Sequence, residues 1–521
     1  MFQPLMKSRP DNRKFSVPVV SFPAAFLLLF LCSINSLAQE VKKIDLLEAE
    51  QMMYDVRFGD NVNRVIGNVI FRHDNVLLYC ASAYMFTDDN SVQAMGRVHI
   101  KVNDSTSIFG DSLRYNGNKK TAEMHNNVRM VDNQITLLTD HLEYDLPKKT
   151  AHYYDGGKII DLENTLTSKK GYYYSSKKDF FFKDSVVLVN PEYTMYSDTL
   201  LYNTQTERSS FFGPTTIVSK ENFIYCERGW YDTKNDISEF RQNAYMENSE
   251  QTLAGDSIYY EQKTGLGLAY RNVVLTDKKE NLILHGAFAR YEQRAQYSLV
   301  TGNALMIQVD GADSLFLHAD TLLATFDTTE RKARVLFAFH QAKFYRDDLQ
   351  GMCDSLVYRM SDSTINMYYD PVIWSEDKQL TADTIIIQTA NRQIESLLLF
   401  NSSFIVSVDD SAENRYNQVK GVNIRAVFED GHLARVYVYE KSETLYYLRE
   451  DNGQRIGVNQ ATGTNLLIRF QDGKIASITF LDQPAGTLHP ENALSGKDRF
   501  LRDFLWRSDK RPYNKDDIFI W

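Results

Sequence analysis

The sequence predicts an all-β protein, an elongated stack of repeated short strands followed by a β-rich C-terminal extension and a short helix. Three observations carry this. Apolar side chains alternate with polar ones along Gly67 to Phe86, the two-residue period of a strand. Tyr and Phe are abundant, at 31 and 30, while Pro is scarce at 11, a balance that favours strands. The same phrase then returns every 28 to 34 residues for most of the chain, the mark of stacked units.

The chain starts with what reads as a secretory leader over residues 1–38. Lys7, Arg9, Arg13 and Lys14 supply a positive start, Ala24 to Leu31 an apolar core, and Ser36-Leu37-Ala38 a small-x-small cleavage site. The apolar run is short for a membrane span. Bulky Leu31 before Cys32 argues against lipoprotein processing. Cleavage removes four positive charges and one negative, taking the formal net charge from −10 to −13. An acidic chain is a poor partner for nucleic acid. Cys80, Cys226 and Cys353 are scattered too widely to form a disulfide framework or a metal-ligand pair. The expected address is the periplasm, with association at the outer membrane.

The repeat aligns on pivots at Glu50, Ser82, Asp111, Asp140, Lys170, Asp198, Glu227, Asp256, Ala287, Asp320, Asp354 and Asp383. Four residues after the pivot stands an aromatic in ten of twelve units, among them Tyr54, Phe86, Tyr115, Tyr144, Tyr174 and Tyr202. These are expected to form a side-chain ladder along the stack. Immediately before the pivot comes a small residue in all but one unit, where Lys169 interrupts. Three residues before it the column is apolar in ten of twelve, with Thr167 and Gly351 as exceptions. A second phrase, as in Gly67-Asn68-Val69, Gly96-Arg97-Val98 and Asn126-Asn127-Val128, reads as a tight turn followed by a short strand. One such unit cannot bury its apolar face alone, so neighbours must stack.

Nine of the twelve pivots are acidic. Calcium β-rolls use shorter, Gly-rich repeats, so the carboxylates are read as bend-forming groups that bond nearby backbone N–H groups. His73 and Cys80 carry no chemistry on this reading, because no column repeats them. No metal, cofactor or catalytic constellation is expected. The acids are spread one per unit, and no nucleophile elbow, phosphate loop or zinc motif is present.

Two divisions of the repeats are expected, 40–200 and 201–395. A C-terminal hairpin region follows over 396–495, with Asp430-Gly431 and Asp472-Gly473 as its turns. Residues 496–521 form the short helix and tail, the amphipathic stretch being Arg499 to Trp506.

The phrase from Gly67 to Phe86, with Ala319-Asp320 and Ala382-Asp383 and their variants Gly110-Asp111 and Gly255-Asp256, resembles the OstA/LptA family across about residues 40–395. The resemblance is to its large members in Bacteroidetes-type bacteria. It implies a twisted β-jelly-roll with an apolar interior that carries lipopolysaccharide through the periplasm. The implied partners are lipid A, other β-jelly-roll transport components joined by edge-strand pairing, and the outer-membrane barrel complex. Carriage is a solvent problem: each exposed CH₂ costs about 0.8 kcal/mol, so a fourteen-carbon chain costs roughly 11 kcal/mol in water. The expected groove lining is Val69, Phe71, Leu77, Tyr79, Ile108, Leu137, Met195, Ile224, Leu253, Leu284, Leu317 and Leu380. The rival readings are a structural or adhesive envelope scaffold, which needs a closed core, and a β-helix polysaccharide-degrading enzyme, which needs carboxylates clustered at one level.

Overall fold

The alternation is realised in strands of up to eighteen residues, sixteen of them eleven or twelve long, well above the usual five or six. The computed structural model describes residues 42–521 apart from 55–56, 58–60, 162, 311–313, 327–333, 391–392, 431, 451–452, 472–473 and 491–492. The expected leader at 1–38, with Cys32, lies outside the described residues. Within them, thirty-six strands form one hydrogen-bonded antiparallel sheet. From Val62–His73 to Leu349–Arg359 each long strand pairs with the next in sequence, as in Val62–His73 with Val76–Phe86 and Val76–Phe86 with Ser91–Lys101. The exception is one split unit. There Thr150–Tyr153 and Gly157–Asp161 share the work of one long strand, and Asn164–Ser168 with Lys170–Tyr174 that of the next.

The Gly-Asn phrase is not the hairpin turn that its composition suggests. Gly67 (φ 86°) and Asn68 (φ 44°) sit in the middle of the strand Val62–His73, both left-handed. Pairing runs Ile66↔Ser82 and then Val69↔Cys80, so two residues face the single Ala81. This two-against-one bulge recurs at Gly96-Arg97, Asn126-Asn127, Gln242-Asn243, Arg271-Asn272 and Gly302-Asn303. A bulge bends its strand. Repeated in register, it folds the sheet into two walls. The first wall holds the halves beyond the corner, such as Val69–His73 and Val76–Cys80. The second holds the other halves.

The acidic pivots lie at these corners. Asn68, Asn127, Asn243 and Asn272 each donate their side-chain amide to the pivot acid opposite, at 2.8, 2.7, 2.8 and 2.9 Å to Glu50, Asp111, Glu227 and Asp256. Left-handed backbone costs an ordinary residue roughly 1–2 kcal/mol, and Asn is among the residues that tolerate it. At the Asp184-Ser185 corner the acid is on the corner strand itself, and Lys170 of the neighbouring strand pairs with Asp184 at 2.8 Å.

The expected division at 200 falls inside the strand Tyr193–Asn203, and that at 395 inside Gln393–Asp410. The buried apolar residues group as one large cluster from Ile44 to Val273, another from Val300 to Ile468, and two smaller ones around Tyr416 and Trp374. Beyond the strand Arg415–Glu429 the two walls continue separately, through His432–Tyr439 on one side and Ser442–Arg449 on the other. Hairpin pairing flanks both Asp-Gly sites, at Glu429↔His432 and Gln471↔Lys474.

The short amphipathic helix expected over Arg499–Trp506 does not form. Three 3₁₀ turns, Gly496–Arg499, Ser508–Lys510 and Asp517–Phe519, punctuate an otherwise irregular tail. The sheet competes successfully for the tail's groups. The Gln418 side chain accepts from Leu501 N at 2.8 Å and donates to Arg499 O at 2.9 Å. Phe500, Phe504 and Trp506 gather around Tyr416, which a regular helix could not arrange on one side. Further on, Arg507 grips Asp370 through two bonds of 2.6 and 2.8 Å, and Lys343 donates to Ile520 O. The tail thus lies along the outer face of the first wall.

Candidate functional site

Because every rung pairs directly with the next, one inward position of the first wall repeats along the whole stack. It runs from Leu46 through Phe71, Leu78, Ile100, Ile108, Met130 and Leu137 to Ile159, Leu166 and Leu188. It continues through Met195, Ile217, Ile224, Met246, Leu253, Leu275, Leu284, Met306 and Leu317. It then reaches Phe344, Gly351, Ile373, Leu380, Ile405 and Val419. Every position is apolar except Gly351, and the Phe344 ring covers that gap, standing where a Cβ would be 2.4 Å away.

Of the twelve residues expected to line a groove, nine lie on this ladder: Phe71, Ile108, Leu137, Met195, Ile224, Leu253, Leu284, Leu317 and Leu380. Val69 is buried two residues from it, on the same face of the same strand. Leu77 and Tyr79 are not on the inner face. Leu78 and Cys80 are the buried residues of that strand, and Tyr79 stacks on His99 at 5.3 Å, as His99 does on Phe109 at 4.3 Å. The cause is a one-residue slip. The residue facing corner Gly67-Asn68 is Ala81, not Ser82, and a shift of one turns every side chain to the other face. The same slip affects Lys170. Lys169 N bonds Asp184 O across the corner, which puts Leu166 rather than Thr167 on the ladder and Tyr173 rather than Tyr174 on the aromatic column. Both apparent interruptions at Thr167 and Lys169 vanish with that shift.

Sixteen of the twenty-five ladder positions escaped sequence reasoning. Ile100, Met130, Met246, Leu275 and Met306 come from the strands that carry the corner, and each stands three residues after the second corner residue. That spacing was the available signal.

The aromatic column belongs to the second wall. It does not stack ring on ring, because small residues alternate with the rings: Tyr115↔Ala122↔Tyr144↔Ala151, then Tyr202↔Ser209↔Tyr231↔Ser238↔Tyr260↔Gly267. Tyr173 and Phe180 are neighbours without a spacer and do stack, at 4.2 Å. With the slip corrected, Cys80, Cys226 and Cys353 all occupy the small-residue position before the pivot. All three are buried there, and burial pushes each thiol up to about 12.

Between the walls the interior changes character along the stack. From Phe71 to Met195 every ladder residue is buried, with Ile100, Ile108 and Met195 each 1% exposed. Polar groups at the wall tips hold the mouth closed. Asp74 takes Lys120 at 2.5 Å and Lys42 at 3.1 Å, and those two amines hold its carboxyl down at about 2. His73 bonds the Tyr115 hydroxyl at 2.7 Å, and Asn90 accepts from Ile44 N at 3.0 Å, drawing buried Ile44 across the opening. Tyr173 donates its hydroxyl to Asp132 at 2.7 Å, with Lys178 3.8 Å away.

The next six rungs, Ile217, Ile224, Met246, Leu253, Leu275 and Leu284, are all half-buried, an apolar trough open to solvent. At Met306 and Leu317 the interior closes again. The trough therefore combines a wet mouth with an apolar floor about six rungs long, or some 25–30 Å at about 4.8 Å per rung. Among the described residues no group of three or more His, Cys, Asp or Glu side chains gathers as a metal-ligand set. No described helix is long and apolar enough to cross a membrane.

Compared with known proteins, residues 41–198 and 201–301 match the family described as OstA-like protein. No curated protein matches the chain significantly. Among solved structures, LptH from Pseudomonas aeruginosa, described as the LptA homologous periplasmic component of the conserved lipopolysaccharide transport device, aligns at 11% identity. The alignment covers 27% of this chain and 95% of that one, with a TM-score of 0.22.

Proposed function

Since residues 41–198 and 201–301 make this an OstA-like protein, we propose that it is a periplasmic carrier in lipopolysaccharide transport to the outer membrane. The observation that supports the reading is the open trough from Ile217 to Leu284. Six successive apolar rungs are left half-exposed there, while the same ladder is sealed on either side. Leaving a half-exposed Leu or Ile uncovered forfeits on the order of 1 kcal/mol each. Acyl chains laid along the floor recover that free energy, and the sugar head stays in water at the mouth.

Chains rest in the open stretch, and passage towards either end requires the wall tips to separate. The outer strands offer the means of handover to neighbouring components. At the N-terminal edge, Gln51–Tyr54 exposes Met52, Met53 and Tyr54, and at the C-terminal edge Leu481 and Leu488 are exposed. Both edges suit β-strand addition by similar β-jelly-roll partners, ending at the outer-membrane barrel complex.

The scaffold reading is favoured by the sealed segments alone and does not account for the open one. The test is uptake of fluorescent lipopolysaccharide by the purified protein. Leu253→Glu and Met246→Glu, which place a carboxylate on the trough floor, are expected to reduce uptake at least tenfold without loss of the β-sheet circular dichroism signal. Undiminished uptake by both variants overturns the proposal.

A further inference from the structure

Where the sealed segment gives way to the trough, the two walls enclose a cavity of about 780 Å³. That is within the roughly 300–1,000 Å³ range of small-molecule pockets. Its floor is apolar, made by Ile159, Leu166, Phe180, Phe182, Leu188 and Leu200. Its rim is acidic, with Asp161, Glu163, Glu192 and Glu207. Tyr193 and Tyr202 stand between, their hydroxyls pushed up to about 12 by burial.

The opening follows from a change of charge at one repeated position. Lys120, Lys178 and Glu207 each end a four-residue turn of the second wall and each is left-handed, at φ 55°, 59° and 56°. Lys120 holds Asp74 across the mouth, and Lys178 stands beside Asp132. One level further on, the group that Asp161 meets is Glu207, a like charge. Burial, and after it Glu207, raises the Asp161 carboxyl above its ordinary value. The cavity runs from the Lys178–Asp132 level to this one, where two acids face each other.

We propose that this cavity is a separate amphiphile site that takes one hydrocarbon chain bearing a cationic, ammonium-type head. The proposal rests on reading the interior as a hydrocarbon-binding surface. The apolar floor fits the chain, and charge complementarity selects the head. Among the described residues of the lining Lys178 is the one basic group, and it already faces Asp132, so an anionic head would enter among uncompensated carboxylates. An ammonium group would lie between Asp161 and Glu207 and relieve their repulsion. Attraction at such a rim is partly screened by salt.

The experiment is calorimetric titration of the purified protein at low salt with dodecylammonium and with dodecyl phosphate, both below their micelle concentrations. The expected result is one site binding dodecylammonium at least tenfold more tightly, with the gap narrowing as salt is raised. Glu207→Lys introduces at this turn the lysine that Lys120 and Lys178 provide at theirs, and supplies a latch for Asp161. It should weaken dodecylammonium at least tenfold while leaving lipopolysaccharide uptake in the trough unchanged. Leu200→Trp, which fills the floor, should do the same if Glu207→Lys fails to fold. Equal affinity for the two heads, no binding of either, or indifference to both substitutions overturns the inference. Lipopolysaccharide uptake that persists in that case leaves the carrier reading standing. Selective dodecylammonium binding without lipopolysaccharide uptake would support the cavity and overturn the carrier reading.

Discussion

Ile108 and Leu253 occupy the same position on the same ladder, yet truncating them should have opposite consequences. Ile108 is 1% exposed and packed between Ile100 and Met130 in the sealed segment. Removing its side chain beyond Cβ leaves a cavity, and buried Ile or Leu to Ala changes cost about 2–5 kcal/mol. Leu253 sits between Met246 and Leu275 but is half-buried, so water fills the space and the loss is nearer to 1 kcal/mol. A stack of repeats does not unfold as one unit, so the assay is hydrogen exchange resolved along the sequence. With 1.4 kcal/mol for each factor of ten, Ile108→Ala should speed exchange in Thr106–Asp132 by about 30- to 4,000-fold. Leu253→Ala should speed its own hairpin about fivefold. Lipopolysaccharide uptake should be unchanged by the first and weakened by the second. Equal exchange effects, or loss of uptake in Ile108→Ala alone, would refute the division into sealed and open segments.

The corner predicts that Asn127→Ala, which removes the bond to Asp111 and puts Ala in left-handed backbone, destabilises its hairpins by about 1–2 kcal/mol, while Asn127→Gly costs less; sequence-resolved exchange separates the two. The Asp74 latch has a pH signature. Its folded carboxyl is held down at about 2, first by Lys120 and then by Lys42, so its contribution is present above the unfolded carboxylate value near 4 and is lost as pH falls towards 2. Acid-accelerated exchange at residues 42–44 and 115–120 should therefore disappear in Asp74→Asn, measured between pH 5 and pH 2. The buried thiols predict that Cys80, Cys226 and Cys353 resist a thiol reagent at pH 8 in the folded protein and react in denaturant. Gln418→Ala leaves the Leu501 amide without its acceptor and should loosen the tail by about 1–3 kcal/mol, read as faster proteolysis between residues 496 and 521.

The repeat length, the all-β class and nine positions of the inward ladder were legible in the sequence because period-two alternation and burial are local properties. The corner was not. Gly67-Asn68 carries the composition of a hairpin turn, and both structures need the same left-handed backbone, so only the strand partner distinguishes them. The slips at Ser82 and Lys170 have a similar origin. Ala81-Ser82-Ala83 and Lys169-Lys170 offer two adjacent residues of equal aptitude, and only cross-strand pairing chooses between them. The distinction between sealed and open interior was illegible in the ladder itself, since Ile108 and Leu253 are equivalent apolar letters. It resides in the tips, where Lys120, Lys178 and Glu207 differ by a charge. The tail has the apolar spacing of an amphipathic helix but does not form one, because Phe500, Phe504 and Trp506 answer to Tyr416 on the sheet.

The carrier account is tested most directly by a photo-crosslinking amino acid placed singly at Leu253, Leu137 and Tyr79 in living cells. Leu253 lies on the open floor, Leu137 in the sealed segment and Tyr79 on the outer face. The account predicts capture of lipid A from Leu253 and none from Tyr79, with Leu137 silent or far weaker. Capture of protein alone from Leu253, or lipid captured equally from Tyr79, would contradict it.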